Sequence, residues 1–198
     1  NIARTVFLQV DVDHVGLQNT LSWSAYEGFD GDILQYNIYR GEDGVFPSTP
    51  IATTIAGVRS YVDDLSGELN SEGQFCYRVE AVEGTNSYGF SQTAFSNTVC
   101  ATFDPIVYIT NAFIINGENP VFKPVVSLYD FDSYDFTIFD RWGGVLFNTD
   151  DVDEGWDGRN SLNATVSEGV YVYFLSIKDR DNKEYQFRGT VTMLIDAE

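Results

Sequence analysis

The chain has 198 residues, 43% hydrophobic and 15% aromatic, which suits one large domain or two of about 100 residues and excludes a disordered polymer. Its 30 acidic residues against 11 basic leave a net charge of −19, shared as 13 acids and 4 bases over residues 1–101 and 17 and 7 over residues 102–198. No Lys/Arg cluster is present to neutralise phosphates or anionic head groups, which argues against nucleic-acid partners and against electrostatic binding to a membrane.

Twelve Tyr and 15 Phe against a single Met favour strands over helices, so an all-β fold is expected. The longest apolar runs, such as residues 170–175, are strand-sized and far short of a helical bilayer span. The chain opens without Met and without a charged, apolar leader; we expect a C-terminal piece of a larger protein whose secretory signal lies upstream.

Over the first half, short alternating runs at residues 5–12, 20–25, 35–40, 51–54, 60–63, 74–83 and 94–101 are separated by segments rich in Gly, Asp, Ser and Pro. Seven short strands at this spacing predict a β-sandwich. Alternation puts Leu21 and Trp23 on one face and Phe75, Tyr77, Val79 and Ala81 on another, so two sheets meet in one core. Leu21-Ser22-Trp23, Tyr36-Asn37-Ile38-Tyr39-Arg40, Phe75 to Ala81 and Ser96-Asn97-Thr98-Val99 together resemble a fibronectin type III domain, here residues 1–102. Phe75 stands where that fold usually places a corner tyrosine, and it cannot make the hydroxyl bond.

The two cysteines, Cys76 and Cys100, both fall in this half. If strands 74–83 and 94–101 close as a hairpin turning near Tyr88, Cys76 lies opposite Cys100, and a cross-strand disulfide is expected. Two free thiols are the alternative. A metal site built on them would need further ligands, and the single histidine, His14, is remote in sequence.

After a short linker at residues 102–105 a second unit, residues 103–198, is expected, with strands at 106–109, 134–139, 145–147, 169–178 and 185–195. In the last two, Tyr171, Tyr173, Leu175 and Ile177 share one face, as do Tyr185, Phe187, Val191, Met193 and Ile195, and the pair should close as a hairpin. Both halves end in an aromatic penultimate strand and a Thr-Val-containing final strand, which predicts two Ig-like β-sandwich domains in series.

Two motifs in the second half invite chemistry. Arg141-Trp142-Gly143-Gly144 interrupts two strands. One reading is a hairpin turn whose glycines take positive φ while the indole caps the core; the other is a recognition edge made by Asp140, Arg141 and Trp142. Trp156-Asp157-Gly158 follows the acidic run 150–154, which suggests calcium, but the EF-hand spacing and its terminal Glu are missing. A solvated acidic loop in which Asp157 bonds its own turn backbone fits better.

Asp140-Arg141-Trp142-Gly143, Gly155-Trp156-Asp157-Gly158, Gly169-Val170-Tyr171-Val172-Tyr173 and Gly189-Thr190-Val191-Thr192 follow one another near the chain end. In that order they resemble the gliding-motility-associated, or type B, C-terminal domain of type 9 (type IX) secretion substrates in the Bacteroidetes. The resemblance implies an Ig-like domain recognised in folded form after export to the periplasm, passed through the outer-membrane translocon and bound by a β-barrel shuttle protein. It further implies delivery to the cell surface or beyond, and adhesion or gliding for the region upstream. Candidate partner-binding residues are then Asp140, Arg141, Trp142, Gly143, Trp156, Asp157, Gly158, Gly189, Thr190 and Thr192. Near the start of the domain the chain keeps Asn111, Phe113 and Asn116-Gly117 but lacks the Asp-Gly and Asn-Asp pairs of the family's loop. We therefore expect no cofactor and no tight calcium site. The ending Asp196-Ala197-Glu198 is acidic where relatives often finish on a basic residue.

Catalysis has little to work with. A Ser-His-Asp device would need His14, a Cys nucleophile would need a thiol that pairing removes, and Gly-rich phosphate motifs and insertions that could form a cleft are missing. We expect no enzyme. The rival reading is a carbohydrate-binding or adhesive accessory module that stacks sugars on exposed rings among Tyr26, Phe29, Trp142 and Trp156.

Overall fold

The computed structural model describes residues 5–42, 44–129, 131–179 and 182–195; the acidic ending at 196–198 lies outside them. All regular structure among the described residues is β. The chain divides into two compact units, residues 1–104 and 105–198. The first extends two residues past the expected boundary because Phe103 is buried, donates its N–H to the Gly73 carbonyl and packs edge-on against Phe75.

In the first unit, strands β1 (Leu8–Asp13), β2 (Gln18–Trp23) and β5 (Ser60–Asp64) form one sheet in the order β1-β2-β5. The other has the order β4-β3-β6-β7, from β3 (Ile33–Gly41), β4 (Ala52–Ile55), β6 (Gln74–Glu83) and β7 (Thr93–Phe95), with β8 (Val99–Thr102) also on β6. Leu8, Leu21 and Trp23 face Tyr36, Ile38, Tyr77 and Val79, all buried, as the alternation requires. Phe75 is buried without a hydroxyl. Tyr77 supplies one two residues later, donating to Asp63 Oδ2 at 2.8 Å and accepting from Asn19 Nδ2 at 2.9 Å.

Cys76 pairs in register with Cys100, and the disulfide is formed. The expected single hairpin is broken above it. Tyr77 faces Val99, yet Glu80 faces Phe95, one residue out of step. The slip occurs where Ser96 Oγ accepts the Val79 N–H and Asn97 turns away to bond the N–H and C=O of Leu8 in the opposite sheet.

The second unit is built on a five-stranded sheet in the order β10-β15-β14-β12-β13. Its strands are β10 (Ala112–Ile115), β12 (Phe131–Phe139), β13 (Val145–Thr149), β14 (Gly169–Asp179) and β15 (Glu184–Ile195). A ribbon of β9 (Ile106–Tyr108) and β11 (Val125–Ser127), completed by irregular chain carrying Phe122 and Trp156, supplies the facing layer. The core holds Phe113, Phe136, Ile138, Leu175, Ile177, Val191 and Met193, with Tyr171, Tyr173, Tyr185 and Phe187 packed partly against it. Ile195 does not join Val191 and Met193 in the core: it is 38% exposed, because the β14 partners of β15 run out at Gly169 opposite Met193.

Candidate functional site

The turn between β12 and β13 is organised by Asp140. Its backbone N–H bonds the Gly144 carbonyl at 2.8 Å, its own carbonyl accepts the Gly143 N–H at 3.1 Å, and its Oδ1 accepts the N–H groups of Trp142 and Gly144, both at 2.8 Å. Gly143 takes φ +84°, the left-handed residue that closes a three-residue hairpin loop. This geometry leaves Arg141 and Trp142 at the tip. Trp142 is 87% exposed, so the indole does not cap the core, and of the two glycines only Gly143 has positive φ.

The turn faces the segment that leads into β14, and together they enclose a groove of about 520 Å³. Arg141 and Trp142 stand on one side; Val166, Val170 and Tyr171 stand on the other. That second wall is tied down. Val166 N–H bonds the Gly158 carbonyl at 3.0 Å, Tyr171 Oη donates to the Ser167 carbonyl at 2.5 Å, and Glu168 Oε1 accepts the Ile195 N–H at 2.7 Å. Burial raises the pKa of the Tyr171 hydroxyl; nearby Arg141 acts against the rise and Asp140 with it.

Trp156 lies behind this wall rather than in it. Its indole is 0% exposed, 4.8 Å from the Tyr171 ring and 5.4 Å from Phe113, and its Nε1–H donates to the Arg159 carbonyl at 2.7 Å. It therefore cannot present a surface to a protein or a sugar without opening the core. Asp157 caps its own turn, accepting the Arg159 N–H on Oδ1 at 3.1 Å. Gly158 is required sterically: φ is +80°, and a Cβ there would lie 2.2 Å from Ile115 Cδ1 and 2.8 Å from Met193 Sδ. Gly189 makes room for the Tyr173 ring, whose Oη would be 2.6 Å from a Cβ.

Thr190 and Thr192 point to the opposite, outer face of the sheet. In register, Thr190 neighbours Val172 and Thr192 neighbours both Val170 and Ala112. Val145, Val170, Val172, Leu194 and Ile114 are all exposed on or beside this face, and sequence reasoning missed them. Their signal was available: residues 170–175 are apolar at both parities of the strand, so one parity fills the core and the other must meet something else.

Among the described residues, no group of three or more His, Cys, Asp or Glu side chains is placed to hold a metal ion; Asp151 Oδ1 is engaged by the Asp153 N–H at 2.8 Å. Tyr26 and Phe29 contact each other but are half-buried and tilted by 43°. A more open ring pair is Tyr88 and Phe90, 67% and 54% exposed, with centroids 6.1 Å apart and planes 29° apart.

No curated protein matches the chain. Solved structures resemble it only loosely. They include a tetra-tandem repeat from the extending region of a large adhesion protein (TM-score 0.47, 16% identity, 97% of this chain and 49% of that one). Pectate lyase PelI from Erwinia chrysanthemi in complex with tetragalacturonic acid gives a TM-score of 0.37 at 21% identity over 49% of this chain and 28% of that one. A Ca2+-stabilized adhesin of an Antarctic bacterium gives 0.32 at 15% over 100% and 50%. The chain thus spans at most half of these proteins, and likenesses at such scores carry no argument. Residues 107–193 match the CHU_C Type IX secretion signal domain, a secretion-signal family and not an enzyme family. The second unit of this chain, with its Asp140-Arg141-Trp142-Gly143 turn and buried Trp156, is where that match to a type IX secretion signal domain falls.

Proposed function

We propose that the second unit acts as a folded address, read by the type IX translocon and an outer-membrane β-barrel shuttle, and that the first is a fibronectin type III-like spacer. A type IX secretion signal directs export to the cell surface or the extracellular space, and no helix among the described residues is long and apolar enough to cross a membrane. The observation that carries the reading is the match of residues 107–193, which falls within a unit that closes its own core. Partner contacts fall on Trp142 and the outer-face threonines Thr190 and Thr192, whereas Trp156, Gly158 and Gly189 act by shaping the domain.

The test is a reporter fused to residues 105–198 in a bacterium with this secretion system, beside the same fusion stopped at Lys183. The shorter chain lacks β15, which pairs with both β10 and β14 and contributes Val191 and Met193 to the core. Surface delivery of the long fusion and periplasmic retention of the short one are expected; delivery of both removes the requirement for a folded domain.

A carbohydrate-binding or adhesive accessory role is the second reading, favoured by the Tyr88–Phe90 pair, since exposed near-parallel rings suit stacking on pyranose faces. Glycan-array binding that Tyr88→Ala abolishes would establish it. An array with no bound glycan would remove it.

A further inference from the structure

We propose that the groove beside Trp142 docks an extended, basic segment of a partner protein. A Lys or Arg of that segment lies over the Trp142 indole, and its apolar neighbours run across Val170 and Val172. The proposal rests on the secretion-address reading and names the chemistry of the partner at that site.

Three observations converge on it. The first is the tip of the turn. Asp140 spends Oδ1 on two backbone N–H groups and so holds an 87%-exposed tryptophan away from its own core. Tryptophan is the best aromatic acceptor of a cation over its face and is enriched among residues that dominate interfaces.

The second is charge. The groove is lined by Asp140 and Glu168 against Arg141 alone. Each carboxylate has one oxygen committed to backbone N–H groups, Asp140 Oδ1 and Glu168 Oε1, while Asp140 Oδ2 and Glu168 Oε2 accept no hydrogen bond from the described residues. Two carboxylates with a free oxygen each, beside an indole face, receive an ammonium or guanidinium group. The whole chain points the same way: a net charge of −19 attracts a basic partner over long range and repels a second copy of itself or an anionic lipid surface.

The third is continuity with an apolar face on which Val145, Val170 and Val172 are exposed among the described residues. Val145, Phe139, Val172 and Thr190 form one row across four strands, and Val170, Thr192 and Ala112 form the next. These rows carry no carboxylate. Because Val170 belongs both to the groove and to this face, a segment anchored at Trp142 can continue across the sheet.

The experiment uses the 105–198 reporter fusion with three sets of substitutions. Trp142→Ala removes the ring at an exposed position. Asp140→Asn with Glu168→Gln removes both charges while keeping an acceptor oxygen for the turn and for the Ile195 N–H. Arg141→Glu makes the groove more acidic and also reports damage to the turn. Thermal unfolding of each purified domain checks that it still folds. Roughly tenfold or greater loss of surface delivery is expected for the first two, with delivery retained or raised by Arg141→Glu. Delivery unchanged by both Trp142→Ala and the double substitution overturns the docking site while leaving the address reading in place. Loss on Arg141→Glu with the double substitution tolerated means that the partner presents a carboxylate, and overturns the basic segment. Failure of the unsubstituted fusion to reach the surface counts against the address reading, and the proposal falls with it.

Discussion

Gly143 and Gly158 share a left-handed backbone, with φ of +84° and +80°, but differ in what surrounds them. Gly143 has open space where a Cβ would stand, so Gly143→Ala meets only the backbone cost of αL, roughly 1–2 kcal/mol. At Gly158 the same backbone cost is joined by contact with Ile115 and Met193, and Met193 is fully buried. Overpacking of that kind adds roughly 1–3 kcal/mol, so Gly158→Ala is expected to destabilise the second unit by about 2–5 kcal/mol. Denaturant unfolding of the isolated 105–198 domain checks the order: equal losses at the two positions would mean that the Ile115–Met193 contact yields freely. The contrast also separates roles within the motifs, since the Gly158 position is fixed by packing and the Gly143 position by the direction in which it sends Trp142.

Among the elements, β14 and β15 were legible because they are long and alternate over most of their length, and their ten-pair antiparallel register follows from a local hairpin. Strands β10 and β11 were not legible. They have four and three residues, and β10 pairs in parallel with the end of β15, some 80 residues along the chain, so no nearby turn announces it. The slip above the disulfide was hidden for a related reason: Asn97 leaves the hairpin to bond Leu8, 89 residues away, and only the closed sandwich brings the two together. At the site, the motif positions were readable but their directions were not. Whether Trp142 points in or out depends on one glycine taking positive φ instead of two, and the burial of Trp156 depends on its backbone pairing with Phe122, which no periodicity encodes.

At the scale of the molecule, each unit closes its own core, and only the first carries a covalent staple, Cys76 to Cys100 across 24 residues. In the chain-entropy account a loop of that length stabilises a domain by roughly 3 kcal/mol, by restricting its unfolded chain. The effect belongs to the unfolded state of the unit that holds the loop, so it does not extend to a neighbour with a separate core. Heating the chain with and without reductant should therefore lower the first unit's unfolding transition by on the order of 10–20 °C, the shift expected for about 3 kcal/mol in a domain of this size. The second unit's transition should stay where it is in the isolated 105–198 domain. Tryptophan fluorescence distinguishes the two when the intact chain is compared with its Trp23→Phe variant, because Trp23 reports on the first core and Trp156 on the second. A shift of both transitions under reductant would show that the units unfold as one, and an address domain that depends on its neighbour's disulfide could not be transplanted to a reporter alone.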